Sequence, residues 1–364
     1  MSSYPVALID LAALQHNFER VKQLAPNSKI MSVIKADAYG HGAVQVAEAL
    51  YSSDAFAVAR LSEGLRLRKA GIQQAIVLLE GVSSIVDLQT AAENDLSIVF
   101  HHASQLELIS RAELTKPLSF CWLMVETGMH RLGLSVSQLD HALNILTASP
   151  NINGEIGLMS HFANSDLVGD RRNQQQLDKL MDCADKYGLQ TSMANSAAIL
   201  SLTASHGEWV RPGIMLYGSS PFEDKLAQDL DLKPVMTLSS ELIAIQPLKT
   251  GDMVGYGGSW VSEEPSRIGI VSIGYGDGYS RHLSNVGSVL IYDQKVPIVG
   301  RVSMDMIAID LSSLSDVVVG DRVVMWGNEL LTVDDMAHKA NTISYELLCQ
   351  LNERVKREYH HGKN

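Results

Sequence analysis

The chain has 364 residues with 41 acidic against 29 basic side chains, a formal net charge of −12 that argues against a nucleic-acid or anionic-membrane partner. Its 46% hydrophobic and 19% charged content is that of an ordinary globular protein, and its length suggests about two domains. No window reaches the roughly 18 uncharged apolar residues of a membrane span, since even the apolar start Val6 to Leu14 contains Asp10. Arg20 and Lys22 follow that stretch rather than precede it, so no secretory signal is expected and the protein reads as cytoplasmic. Cys121, Cys183 and Cys349 are odd in number and widely spaced, which disfavours a disulfide framework or a paired-cysteine zinc site.

In chain order, short runs rich in Val, Ile, Leu and Ala alternate with amphipathic stretches, the signature of repeated βα units on a parallel sheet. The expected strands are Ile30 to Ile34, Ala55 to Ala59, Ala75 to Leu79, Leu96 to Phe100, Leu118 to Val125, Glu155 to Ser160, Thr191 to Ala194 and Trp209 to Arg211. Helices are expected at Ala43 to Tyr51, Leu61 to Ala70, Val86 to Glu93, Val136 to Ala148 and Arg171 to Tyr187, with Ser62 and Ser135 as caps. The strand count favours a closed (β/α)8 barrel over an open doubly wound sheet. After about Pro221 the pattern changes to Gly-punctuated β segments: Val235 to Ile245, Arg267 to Ile273, Ser288 to Tyr292, Met306 to Ile309 and Val317 to Trp326. The polar stretch Glu223 to Lys233, closed by Pro234, is the expected junction, dividing the chain into a barrel unit 1–230 and a β-rich unit 231–364. Short helices at Val333 to Lys339 and Ser344 to Leu351 and a frayed tail from His360 to Asn364 complete the reading.

The segment Val33 to Gly42 delivers a lysine, Lys35, at the C-terminal end of an apolar strand, where barrel enzymes place catalytic groups. A lysine amine there can form a Schiff base with an aldehyde if burial lowers its pKa. From position alone it reads sooner as a strand-end lysine reaching solvent, since barrel strands often end in exposed polar residues. The string Lys35-Ala36-Asp37-Ala38-Tyr39-Gly40-His41-Gly42 closely resembles the pyridoxal-phosphate lysine signature of alanine racemases. The resemblance continues in register through Glu126 to Gly133, Met159 to Ala163, Asn195-Ser196, Arg211 to Gly218, Val254 to Gly257, Gly274 to Gly278, Arg301 to Asp305 and Ile343 to Glu346. One such string would be weak; their succession over nearly the whole chain is specific.

What the resemblance implies is a (β/α)8 barrel with a β-rich C-terminal domain, assembled as a head-to-tail homodimer whose sites draw on both subunits and whose substrate is alanine. It makes Lys35 the cofactor-holding lysine and one acid/base group, and Tyr256 of the partner subunit the other. Inverting a stereocentre through a planar carbanion is simplest with one base on each face. A tyrosine near pKa ~10 needs an electropositive neighbour to serve, and His161 matches the family histidine that supplies it. Arg211 matches the group facing the pyridine nitrogen; an arginine cannot protonate that nitrogen readily, so side reactions such as transamination are expected to be rare. Tyr39, Ser196 and Tyr345, with the amides of Gly213 and Ile214, match phosphate contacts, and Asn195 lies beside the ring region. Arg131 and the backbone amide of Met304 match the groups that take the substrate carboxylate. Asp166, Tyr275, Arg281, Arg301 and Asp305 match the lining of the access channel. One departure stands out: seven positions before Arg131, where many family members carry a carbamylated lysine, stands Met124.

Three further readings compete with this one. A broad-specificity racemase on the same scaffold differs by pocket size, and a fold-related decarboxylase is disfavoured because it usually offers a glutamate where Arg211 stands. A non-catalytic carrier of the cofactor would not need the long β-rich second half. The adjacent pairs His101-His102 and His360-His361 fall short of a metal site, because neighbours on a strand point to opposite faces. The resemblance is compatible with a biosynthetic role, feeding cell-wall D-alanine, and with a catabolic one.

Overall fold

The computed structural model describes residues 5–362 of the chain. Eight strands close a parallel barrel in chain order: β2 (Lys29–Val33), β3 (Ala55–Val58), β4 (Ala75–Leu78), β5 (Leu96–Phe100), β6 (Leu118–Met124), β7 (Ile152–Met159), β8 (Thr191–Ser192) and β9 (Trp209–Val210), with β9 returning to β2. Most of their residues are buried on both faces, as in strands covered by helices outside and side chains inside, the exposed ones lying toward the N-terminal ends. Met31, Phe56, Ile76, Phe100 and Trp122 are fully buried. Trp122 needs room that β7 gives with a glycine: a Cβ on Gly157 would lie 2.5 Å from the indole ring.

The helices between them are α2 (Ala43–Ala49), α3 (Leu61–Lys69), α4 (Ile85–Glu93), α5 (Ala103–Arg111), α6 (Leu139–Ala148), α7 (Arg171–Tyr187) and α8 (Ser196–Ser201), preceded in the chain by α1 (Leu11–Leu24). Two expected caps differ in outcome. Ser135 precedes a 3-10 turn, Val136–Gln138, that runs into α6. Ser62 lies inside α3, whose preceding residue is Arg60, with the Glu63 side chain accepting the Arg60 amide at 3.0 Å.

The C-terminal segments form an eight-stranded sheet of order β13-β16-β15-β14-β17-β10-β1-β18, and a further β10–β13 pairing closes six of its strands into a ring. Its members are β10 (Met236–Leu248), β13 (Ser266–Val271), β14 (Ser288–Ile291), β15 (Gln294–Val299), β16 (Ile307–Asp310) and β17 (Arg322–Trp326), with the small ribbon β11 (Met253–Val254) and β12 (Trp260–Val261) beside it. Strand β10 serves two neighbours because its register shifts between Leu242 and Ala244, where a bulge turns it from β17 toward β13. The first strand, β1 (Val6–Asp10), pairs antiparallel with β10, so the chain begins in the sheet that its second half completes. After α9 (Val333–Lys339) and α10 (Ser344–Gln350), β18 (Lys356–His360) pairs parallel with β1, setting His360 opposite Asp10. The expected fraying is therefore corrected at His360, which is fixed by that ladder; Lys363 and Asn364 lie outside the described residues. No helix among the described residues is long and apolar enough to cross a membrane.

Candidate active site

Every βα loop at one end of the barrel begins with a strand's C-terminus, and there a cavity of about 800 Å³ opens. Lys35, Tyr39, Arg131, His161, Asp166, Asn195, Ser196, Arg211, Gly213, Ile214 and Tyr345 all line it, as does Met124. The expected site residues of the barrel unit thus converge on one space, joined by Tyr345 from α10.

Lys35 follows β2 by two residues and opens a turn that the sequence reads only as a Gly-containing loop. The four residues Ala36, Asp37, Ala38 and Tyr39 have φ of 53°, 52°, 55° and 53°, a left-handed turn that Gly40 ends at φ 81°. For L-residues other than glycine this conformation costs roughly 1–2 kcal/mol each, so the surroundings must hold it. The Glu63 carboxylate accepts the Ala36 amide at 2.7 Å, and Asp37 Oδ1 accepts both the Ala43 amide (3.0 Å) and Arg66 Nη1 (2.8 Å). Inside the turn, buried His41 places Nδ1 within 3.0 Å of the Ala38 carbonyl and 2.9 Å of that of Tyr39, so Nδ1 carries the proton and donates.

Desolvation and the positive charge of Arg131 lower the Lys35 pKa, raising the neutral, nucleophilic fraction of its amine. Arg211, directly after β9, is buried; its Nη1 donates to Ser192 Oγ (2.8 Å) and its Nη2 to the Ser160 carbonyl (2.5 Å) and to His161 Nδ1 (3.3 Å). Desolvation, with repulsion from Arg211, Arg131 and Lys35, pushes the His161 pKa down to about 3, so the ring is neutral. With Nδ1 accepting from Arg211, its proton sits on Nε2. Burial together with the charge of Arg131 also brings Arg211 down to about 9, and among the described residues no carboxylate partners its guanidinium.

Elsewhere in the cavity lining Tyr39 stacks on Tyr217 with ring centroids 4.7 Å apart and lies 5.9 Å from Tyr345. Ser196 Oγ accepts the amides of Gly213 (2.9 Å) and Met215 (3.3 Å), which leaves its hydroxyl proton for another acceptor. The Gly213 amide, expected to be free, is thus taken up within the chain, while Ile214 opens a 3-10 turn (Ile214–Tyr217) that offers its N–H no intrahelical acceptor. A Cβ on Gly213 would stand 2.7 Å from the Tyr39 hydroxyl, so only glycine leaves that corner open. Ser196 is the first residue of α8 and Asn195 is its cap, accepting the Ala198 amide at 3.1 Å and the Ser165 hydroxyl at 2.8 Å.

The remaining expected residues stand apart. Tyr256, Tyr275, Arg281, Arg301, Met304 and Asp305 line no part of this chain's cavity. They lie in turns and loops between strands of the C-terminal segment: the Tyr275 amide donates to the Ser303 carbonyl at 3.0 Å, the Arg301 guanidinium lies beside Gly257, and Arg354 pairs with Asp305 at 2.7 Å. Tyr256 is 71% and Met304 53% exposed.

Sequence reasoning missed the residues that hold the loops. Besides Glu63 and His41, buried Gln176 of α7 donates to Thr127 Oγ1 (3.1 Å) and the His161 carbonyl (3.0 Å) and accepts the Ala163 amide (3.0 Å), tying the loops after β6 and β7 together. Its place on a helix turned toward the barrel is the one signal that pointed to it.

The description "alanine racemase, N-terminal domain" matches residues 9–221, and "alanine racemase, C-terminal domain" matches residues 235–359. The chain belongs to the alanine racemase family. A relative from Nitrosococcus oceani named alanine racemase is 47% identical over 355 residues, covering 98% of this chain and 99% of that one. The solved alanine racemase of Acinetobacter baumannii is 43% identical with a TM-score of 0.92, covering 99% of this chain and 100% of its own. The structure described as the biosynthetic alanine racemase of Pseudomonas aeruginosa is 41% identical with a TM-score of 0.94 over the same shares. The expected barrel with a β-rich second unit is borne out, and as an alanine racemase family member the chain is an isomerase.

Proposed function

We propose that the chain interconverts L- and D-alanine in the cytoplasm, using pyridoxal phosphate and two bases, as a homodimer with composite sites. The observation that carries this reading is the convergence of Lys35, His161 and Arg211 with the hydroxyls of Tyr39, Ser196 and Tyr345 in one cavity. Their chemistry fits the cofactor: a lysine with a lowered pKa for the aldehyde, hydroxyl donors for the phosphate, and a cationic group for the ring nitrogen. When bound, the cofactor withdraws electrons from the substrate's α-carbon and so acidifies its proton.

The protein's part follows from its own residues. Lys35 would hold the cofactor through its aldehyde and, with its amine free, would exchange a proton with one face of the α-carbon. Tyr256 of the partner subunit exchanges a proton with the other face. His161, neutral and protonated on Nε2, donates toward the phenolate and stabilises it as a base. Arg211 fixes that tautomer and leaves the ring nitrogen unprotonated, which limits proton return to the wrong carbon. Arg131 takes the substrate carboxylate, assisted by the backbone amide of Met304 from the second copy. Asp166, with Tyr275, Arg281, Arg301 and Asp305 of the second copy, forms the channel.

The test is to record the visible spectrum of the purified protein and to follow α-proton exchange of L-alanine in D₂O with loss of optical rotation, repeating with L-serine and L-lysine. Yellow protein with fast alanine racemisation supports the reading. Yellow protein active only on larger amino acids moves it to a broad-specificity racemase, and a colourless protein that the cofactor cannot reconstitute overturns it.

A further inference from the structure

The left-handed turn that carries Lys35 is held from outside the cavity by one helix. Glu63, in the first turn of α3, uses both carboxylate oxygens: Oε1 accepts the Ala36 amide at 2.7 Å, and Oε2 accepts the amides of Ala59 (2.7 Å) and Arg60 (3.0 Å). A glutamate that only capped its own helix would need the Arg60 contact alone. The Ala36 contact crosses from the loop after β3 to the loop after β2 and lands on the peptide joining Lys35 to Ala36. One helical turn further, Arg66 reaches Asp37 of the same left-handed turn at 2.8 Å. Ala36 and Ala59 line the cavity while Glu63 does not, so the carboxylate acts through backbone and touches neither substrate nor cofactor.

We propose that Glu63 is a positioning residue: it fixes the Lys35–Ala36 peptide and the left-handed turn, aiming Lys35 at the cofactor aldehyde and Tyr39 at its phosphate. This rests on the reading of the cavity as a pyridoxal phosphate site. Glutamine at position 63 has one acceptor oxygen and a donor amide, so it serves Ala36 or the Ala59–Arg60 pair but not both. Leucine serves neither.

The experiment compares wild type, Glu63→Gln, Glu63→Leu and, as a destabilised control remote from the turn, Gly157→Ala. Amide hydrogen exchange of apoprotein is followed over the peptide spanning Lys35 to Gly42, cofactor dissociation is measured by dialysis, and kcat and KM are measured on the holoenzyme. In Glu63→Leu exchange in that peptide quickens at least about tenfold and cofactor is held about tenfold more weakly, the range for a lost charge-assisted hydrogen bond. Glu63→Gln, which keeps one of the two contacts, falls between Glu63→Leu and wild type. Their kcat falls while KM for L-alanine, set by Arg131, stays within about twofold. Gly157→Ala lowers the unfolding midpoint without these changes. Glu63 variants that lose only unfolding midpoint, with wild-type exchange and cofactor retention, overturn the proposal. If Glu63→Leu does not fold, Glu63→Ala, which likewise accepts from neither loop, decides. Wild-type protein that takes up no pyridoxal phosphate overturns the reading of the cavity instead, and the exchange data then report separately on whether Glu63 holds the turn.

Discussion

At the scale of single residues, buried His41 and His161 are groups whose protonation the fold resists. Burial pushes His41 from the ordinary 6.5 down to about 4, and its Nε2 has no partner among the described residues. Below pH 6.5 the unfolded chain binds protons that the folded chain refuses, so stability is present in full above 6.5 and is lost as the pH falls toward 4. Urea unfolding midpoints therefore decline across that window, and a His41→Gln variant, weaker at neutral pH, declines less steeply; parallel slopes would show that His41 is not the source. Met124 makes a second prediction. Its thioether cannot hold a carbamate, and Arg131, exposed toward the cavity, forms no ion pair among the described residues. Racemisation in decarbonated buffer is thus unchanged by added bicarbonate, and a bicarbonate-dependent rate contradicts it.

At the scale of elements, glycines mark where one strand or loop makes room for another. Gly157→Ala pushes a methyl group to within 2.5 Å of the Trp122 ring in the barrel interior; overpacking of this kind costs about 1–3 kcal/mol, read as a lowered unfolding midpoint. Gly213→Ala puts its methyl 2.7 Å from the Tyr39 hydroxyl, beside the left-handed turn. Its effect falls on cofactor retention, with the midpoint little changed, and equilibrium dialysis separates the two. The barrel strands and α7 were legible because hydrophobic periodicity and strand burial follow directly from residue type. The short motifs were legible because their residue types are tied to one chemistry. The left-handed turn was not, since Ala36, Ala38 and Tyr39 carry no local preference for positive φ and the turn is held by Glu63, Asp37 and His41. Strands β1 and β18 were not legible either, because they find partners more than 200 residues away in sequence or at the other chain end. Nor did sequence spacing show that Ser196 spends its acceptor on the Gly213 amide.

At the scale of the whole molecule, the proposed site is divided between two surfaces of one chain that do not meet within it. The barrel mouth holds Lys35, His161 and Arg211, and the C-terminal segment exposes Tyr256 with Tyr275 and Met304. A second copy placed head to tail brings each surface to the other's partner and makes two equivalent sites, the closed arrangement that homodimers favour. Each variant alone then has a defined defect. Tyr256→Phe keeps the visible absorbance of lysine-bound cofactor and loses most racemisation, while Lys35→Ala loses both. In a mixed dimer, one site pairs Lys35 of the first variant with Tyr256 of the second and is intact; the other carries both defects. With random exchange at equal amounts, half of the dimers are mixed and each holds one working site of two. Recovered activity approaches about a quarter of wild type, measured by racemisation after exchange is verified with differently tagged chains. No recovery, despite verified exchange, would place both bases within a single chain and remove the structural reason for Tyr256 to lie exposed.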